Sequence, residues 1–180
     1  MQYVAIDELE HFEYHDAEIV SIELKEHCMK WMTKHINATK ENTQNTFPVD
    51  MCVPEAEIVF ESVEIKSITI IGFEVHNANH ELIEHEETRE ACPGEFASIL
   101  SKSVSIYCRI FGMCIEKTPA DGKHKYSATF TIVSGVDVFD IQLDFDRVVI
   151  SWNEFNGIAW YEEDKRKRNR ADPPSSPYIQ

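Results

Sequence analysis

A mostly antiparallel β domain of the α+β class is the architecture to expect from this chain, with a curved sheet or partial barrel and one or two short helices at its margin. Apolar and polar residues alternate with period two along much of its length, ten-residue helical patterns are scarce, and one long β pattern changes phase midway. Period-two alternation sends successive side chains to opposite faces of a strand, so that one face meets a core and the other meets water. A phase change inside one pattern requires a bulge or a bend, and either one curves a sheet.

Taken in order, residues 7–12 (Asp-Glu-Leu-Glu-His-Phe) have room for a single helical turn. Residues 17–24 and 29–38 alternate and read as strands, and the polar stretch 40–50, with Pro48, reads as a loop. The pattern that slips covers 56–75: Ala56, Ile58 and Phe60 share one parity, Val63 and Ile65 the other, and Ile68 and Ile70 return to the first. Pro93-Gly94-Glu95 followed by Phe96, Ile99 and Leu100 predicts a helix of about two turns. Strand patterns resume over 104–117 and 126–133, with a loop at 118–125 containing Pro119 and Asp121-Gly122.

The clearest alternation sets Asp137, Phe139, Ile141, Leu143 and Phe145 against Val138, Asp140, Gln142 and Asp144. With turns at 134–137 and at Asp146-Arg147, the C-terminal third reads as a meander. Asn156-Gly157 then predicts a type I′ hairpin joining 148–155 to 158–162. In that register Phe155 faces Ile158, Asn153 faces Trp160 and Trp152 faces Tyr161. Residues 1–164 thus form one β-rich domain, and 165–180 form a basic, proline- and serine-containing tail without core-forming residues, expected to be mobile.

Charge narrows the partners. The 180 residues carry 17 Lys and Arg against 32 Asp and Glu, a formal charge of −15. Residues 165–180 hold five of the basic side chains and one acidic one, which leaves 12 basic and 31 acidic over 1–164 and a charge of −19 there. Such a field repels nucleic-acid phosphates and anionic lipid and attracts a basic protein. No apolar run approaches the ~20 residues of a helical membrane span, and residues 1–10 have no signal-peptide pattern. Five cysteines, an odd number without C-x-x-C spacing, fit a reducing compartment, and the cytoplasm is the expected location.

No Walker A, G-x-G-x-x-G, G-x-S-x-G or EF-hand pattern is present, and six glycines leave little material for a phosphate cradle, so no cofactor is expected. The densest set of metal-ligand types is His76, His80, Glu84 and His85. On a helix, His76, His80 and Glu84 would stack at i, i+4 and i+8 and could hold zinc for a metal-dependent hydrolase, or serve a small-ligand site. The pattern is not H-E-x-x-H and follows directly on a strand, which favours a solvated polar excursion and no metal. His15-Asp16 offers an imidazole beside a carboxylate, although neighbours on an extended chain point apart. Trp152, Asn153, Glu154, Trp160 and Tyr161 gather aromatics among carboxylates, the composition of a surface that holds a basic partner; packing of Trp152 and Tyr161 on the core is the alternative.

Two stretches carry a family likeness. Residues 12–24 (FEYHDAEIVSIEL) and 148–161 (VVISWNEFNGIAWY) resemble small bacterial β-rich proteins that open with a His-Asp element and close on a Trp-containing hairpin, some of which accompany polymorphic toxins as immunity partners. The resemblance implies a non-enzymatic, protein-binding role, and it transfers no catalytic residue.

Overall fold

The computed structural model describes residues 1–15, 17–117, 122–163 and 165, so Asp16 and the basic tail beyond Lys165 lie outside the described residues. In chain order the elements are β1 (Tyr3–Ile6), a 3-10 turn (Leu9–His11), β2 (Phe12–Glu13), β3 (Ala17–Lys25), β4 (Cys28–Ala38), β5 (Met51–Glu61), β6 (Glu64–Ile70), β7 (Phe73–His76), β8 (Leu82–Glu86) and β9 (Arg89–Glu90). A second 3-10 turn (Pro93–Glu95) leads into α1 (Phe96–Ile106), followed by β10 (Cys108–Lys117), β11 (Tyr126–Ser134), β12 (Val138–Phe145), β13 (Arg147–Trp152) and β14 (Gly157–Ile158). Among the described residues no helix is long and apolar enough to cross a membrane.

The main sheet runs β1-β13-β5-β4-β3-β10-β11-β12-β6-β9, with β14 added to β5 and β2 to β4, and its strand pairs are antiparallel. Its ends are β1 and β9, so the path is not closed. It is nevertheless folded over. The phase slip in 56–75 is the reason: Ser62, at φ 54°, ends β5, and the chain restarts as β6 at Glu64. A matching break at Asp146 separates β12 from β13, and the Asp146 N–H donates to the Glu61 carbonyl at 3.1 Å. Below the break β5 pairs with β13, and beyond it β6 pairs with β12, so two long segments bend together. On the far side, β3 meets β10 through two residue pairs, Glu18 with Arg109 and Ala17 with Ile110.

Bending brings the two inner faces into contact. Trp31 on β4 lies edge-on to Phe130 on β11, with centroids 4.8 Å apart, and Phe60 contacts both Phe130 and Phe145. All four rings are fully buried. α1 covers the fold through Phe96 and Leu100, spaced i and i+4. It begins where the Pro93-Gly94-Glu95 signal lies and runs to Ile106, longer than the two turns anticipated and consuming the start of the 104–117 strand pattern. Glu95 helps to set its entry: the carboxylate accepts the Cys92 N–H at 2.8 Å and both Arg89 guanidinium nitrogens at 3.2 Å.

Two readings of the C-terminal third are corrected. Asp146-Arg147 is the bend into β13 and not a hairpin turn, so the meander is limited to β10, β11 and β12. The Asn156-Gly157 hairpin does not form either. A type I′ turn needs positive φ at both central residues, and here only Gly157 has it, at 151°. Trp152 instead faces Ala56 on β5 and Tyr3 on β1. The backbone beyond it is satisfied by the free start of β5 and the residue before it, through Asn156 N–H to the Cys52 carbonyl and Ala159 N–H to the Asp50 carbonyl. Central-strand pairing on both sides of β13 outcompetes a local hairpin because it also buries Trp152 against Tyr3, Phe12 and Phe155.

Trp31→Ala should therefore lower the unfolding free energy by about 3–5 kcal/mol, since it empties the contact between the two halves of the sheet. Chemical denaturation followed by circular dichroism measures it. A loss below 1 kcal/mol, on the order of a surface change, would contradict this packing.

Candidate functional site

The polar centre of the molecule lies where β2, β4, β5 and β14 run side by side. Glu13 pairs with Asn37, Asn37 with Cys52, and Cys52 with Gly157, so these four positions form one cross-strand row on a single face. Local chemistry on β4 and β5 puts Asn37 there. Pro54 has no N–H to donate across to position 35, and His35 takes a left-handed φ of 61° opposite it. Alternation breaks at that point: Met29, Trp31 and Thr33 are buried on one parity, and Ile36, Asn37 and Ala38 are buried consecutively.

Above this row stands the segment after β14. Ala159 is buried, and Glu162 and Glu163 N–H groups both donate to its carbonyl, forming a helical turn that projects Trp160 and Tyr161. The Tyr161 hydroxyl donates to Asp50 Oδ2 at 2.9 Å, while Asp50 Oδ1 accepts the Lys40 N–H at 2.8 Å. Asp50 thus ties the 40–50 loop to the turn. Trp160 packs edge-on to Tyr161 and is 55% exposed. Lys165 Nζ lies 2.6 Å from Glu162 and 5.3 Å from the centre of the Tyr161 ring.

A concavity of about 400 Å³ is enclosed by Glu13, His15, Asn37, Asp50, Trp160, Tyr161 and Lys165. Asn37 and Trp160 also line its neighbour, of about 380 Å³, with His35, Cys52 and Glu163. His35 joins this to a hollow bounded by Lys34, Pro54, Glu55, Asn153 and Glu154, and at the other end Glu13 and His15 lead to one walled by Phe111. The four hollows are neighbours that share lining residues: Asn37 and Trp160, His35, and Glu13 with His15.

The groove is electronegative. Burial raises the Tyr161 hydroxyl far above the ordinary tyrosine value, and its bond to Asp50 and the charges of Asp50, Glu13 and Glu162 push it further in the same direction. Cys52 is a neutral thiol there, because burial raises it too, so the row presents no thiolate nucleophile. What the surface offers is hydrogen-bond acceptors, negative charge and aromatic faces.

Of the residues singled out from sequence, His15, Asn153, Glu154, Trp160 and Tyr161 all line this groove. His15 Nδ1 lies 3.1 Å from the Phe111 carbonyl, with its ring edge-on to the Phe111 ring. Asp16 lies outside the described residues. Trp152 does not belong to the site; it is a fully buried core residue. His76, His80, Glu84 and His85 are elsewhere, on the exposed β7–β8 hairpin, and not on a helix. Glu74 reaches both His76 (3.8 Å) and His85 (3.9 Å), and His80 sits in the turn at φ 62°. Among the described residues no set of three or more His, Cys, Asp or Glu converges as a metal-holding group.

Sequence reasoning missed Glu13, Asn37, His35, Asp50 and Lys165. Pro54 inside a strand pattern was the one available signal, since an interior proline marks an irregular ladder. Comparison with protein families, with curated proteins and with solved structures finds no match.

Because Tyr161 keeps its proton in the folded state, its contribution to stability is complete below the ordinary tyrosine value of 10.0 and declines as pH rises above it. Alkaline difference absorbance should show a phenolate signal for Tyr161, identified by subtraction of the Tyr161→Phe spectrum, that appears only with unfolding. The same variant should cost about 1–2 kcal/mol through the lost bond to a carboxylate. A normal titration near pH 10 in the folded protein would refute the Asp50 contact.

Proposed function

We propose that the chain is a non-enzymatic binding domain whose groove holds a basic, extended segment of a partner protein. The observation that carries this reading is the row of adjoining hollows: an exposed Trp160 indole and the carboxylates of Glu13, Glu154 and Glu163 line concavities that share walls. A concave track suits an extended chain, and exposed tryptophan is the residue type most often found as an anchor at interfaces. The −19 charge over 1–164 supplies the long-range attraction. The resemblance of residues 12–24 and 148–161 to immunity-like proteins supports a non-enzymatic, protein-binding role, and the acidic charge disfavours nucleic acid and anionic membrane as the partner.

Labelled oligolysine and oligoarginine peptides are suitable probes, with anisotropy as the readout. Both should bind the full chain at low salt and weaken as salt shortens the Debye length, which is about 8 Å at physiological ionic strength. Trp160→Ala and Glu13→Lys should each weaken binding by about tenfold or more, while Trp160→Ala leaves stability within about 0.5 kcal/mol because the ring is exposed. Failure of both peptides to bind, or binding indifferent to both substitutions, would overturn the reading.

A further inference from the structure

We propose that the floor of the groove at Asn37 is a pocket for one arginine side chain of the partner, its guanidinium donating to Asn37 Oδ1 and to the Glu13 carboxylate beneath the Trp160 indole. The inference rests on the groove reading and specifies its ligand. Asn37 is 3% exposed and lines both central hollows, yet its carboxamide has no hydrogen-bond partner among the described residues. Asn45, comparably buried, donates to the carbonyls of Ala38, Thr39 and Val49. The polar atoms of Asn37 are not among those sealed from solvent without a partner, so they face the hollow and are open to a donor from outside.

Glu13 stands opposite Asn37 in the β2–β4 register, which sets their Cβ atoms about 4.5–5.5 Å apart and lets one planar donor reach both. Asp50 is not the anchor, because its two oxygens already accept the Lys40 N–H and the Tyr161 hydroxyl. Glu13 makes no ion pair among the described residues. Its charge, with those of Asp50 and Glu162, disfavours an anionic ligand.

The geometry selects guanidinium over ammonium. Three acceptor oxygens and an exposed indole lining one hollow match a group that carries five N–H donors in a flat fork and stacks on aromatic rings. An ammonium is compact and strongly hydrated, and it has no flat face to lay on the indole.

Discrimination between the two peptides is the test. Wild-type protein should bind oligoarginine at least about tenfold more tightly than oligolysine. Asn37→Leu should erase that preference by lowering oligoarginine affinity to about that of oligolysine, since the variant removes the acceptor that the guanidinium uses. In the wild-type protein, the side-chain amide resonance of Asn37 should move on titration with oligoarginine and stay in place with oligolysine, a readout that holds even if Asn37→Leu fails to fold. Equal binding of both peptides, an arginine preference that survives Asn37→Leu, or an unmoved Asn37 resonance would overturn the pocket and leave the groove reading intact. Failure of both peptides to bind would remove both.

Discussion

Trp31, Phe60, Phe130 and Phe145 can leave water together only if one sheet folds back on itself, because Trp31 and Phe60 belong to one half of the strand order and Phe130 and Phe145 to the other. The fold-over is permitted at two places in register, Ser62 and Asp146, where strands that would otherwise continue straight are interrupted side by side. Burying large aromatics is the largest single gain in such a core, and two interrupted ladders are a small loss against it. Everything else in the molecule is arranged around that bend. α1 covers one side, and the open row of β2, β4, β5 and β14 forms another.

The groove follows from a second irregularity, this one at Pro54. Had position 54 carried a donor, β4 and β5 could have kept one continuous alternation, with the face that now holds Asn37 following the parity of Thr33. The proline and the left-handed His35 opposite it shift the parity, and a polar carboxamide comes to rest under the C-terminal turn. That turn is held by a hydrogen bond from Tyr161 to the Asp50 carboxylate, in surroundings that keep Tyr161 protonated. The result is an aromatic wall, Trp160 and Tyr161, beside a row that holds Glu13 and Asn37.

On the reading proposed above, this site recognises a partner. Its thiol is neutral, and its best-ordered carboxylate is occupied by two donors. The histidines that looked most like ligands in the sequence are spread along an exposed two-stranded ribbon and leaned on one glutamate, Glu74. A two-stranded ribbon alternates its side chains between faces, so residues spaced four apart do not stack as they would on a helix.

Local pattern determined much of this protein: the antiparallel β character, the strands over 17–24, 29–38, 126–133 and 138–145, the helix after Pro93, and the bend inside 56–75 are all properties of side-chain periodicity and of residues with restricted backbones. The acidic field is likewise set by composition. Tertiary structure decided which strands became neighbours. Asn156-Gly157 had the composition of a tight turn, but β13 could bury Trp152 between β1 and β5, and non-local burial outweighed a local preference worth far less. The same holds for the site. Trp160 and Tyr161 were legible as aromatics among carboxylates, whereas Glu13, Asn37, Asp50 and Lys165 are separated by up to 152 positions in sequence and line one hollow only because the β2–β4–β5 register and the turn after β14 bring them together, which no single segment of the chain encodes.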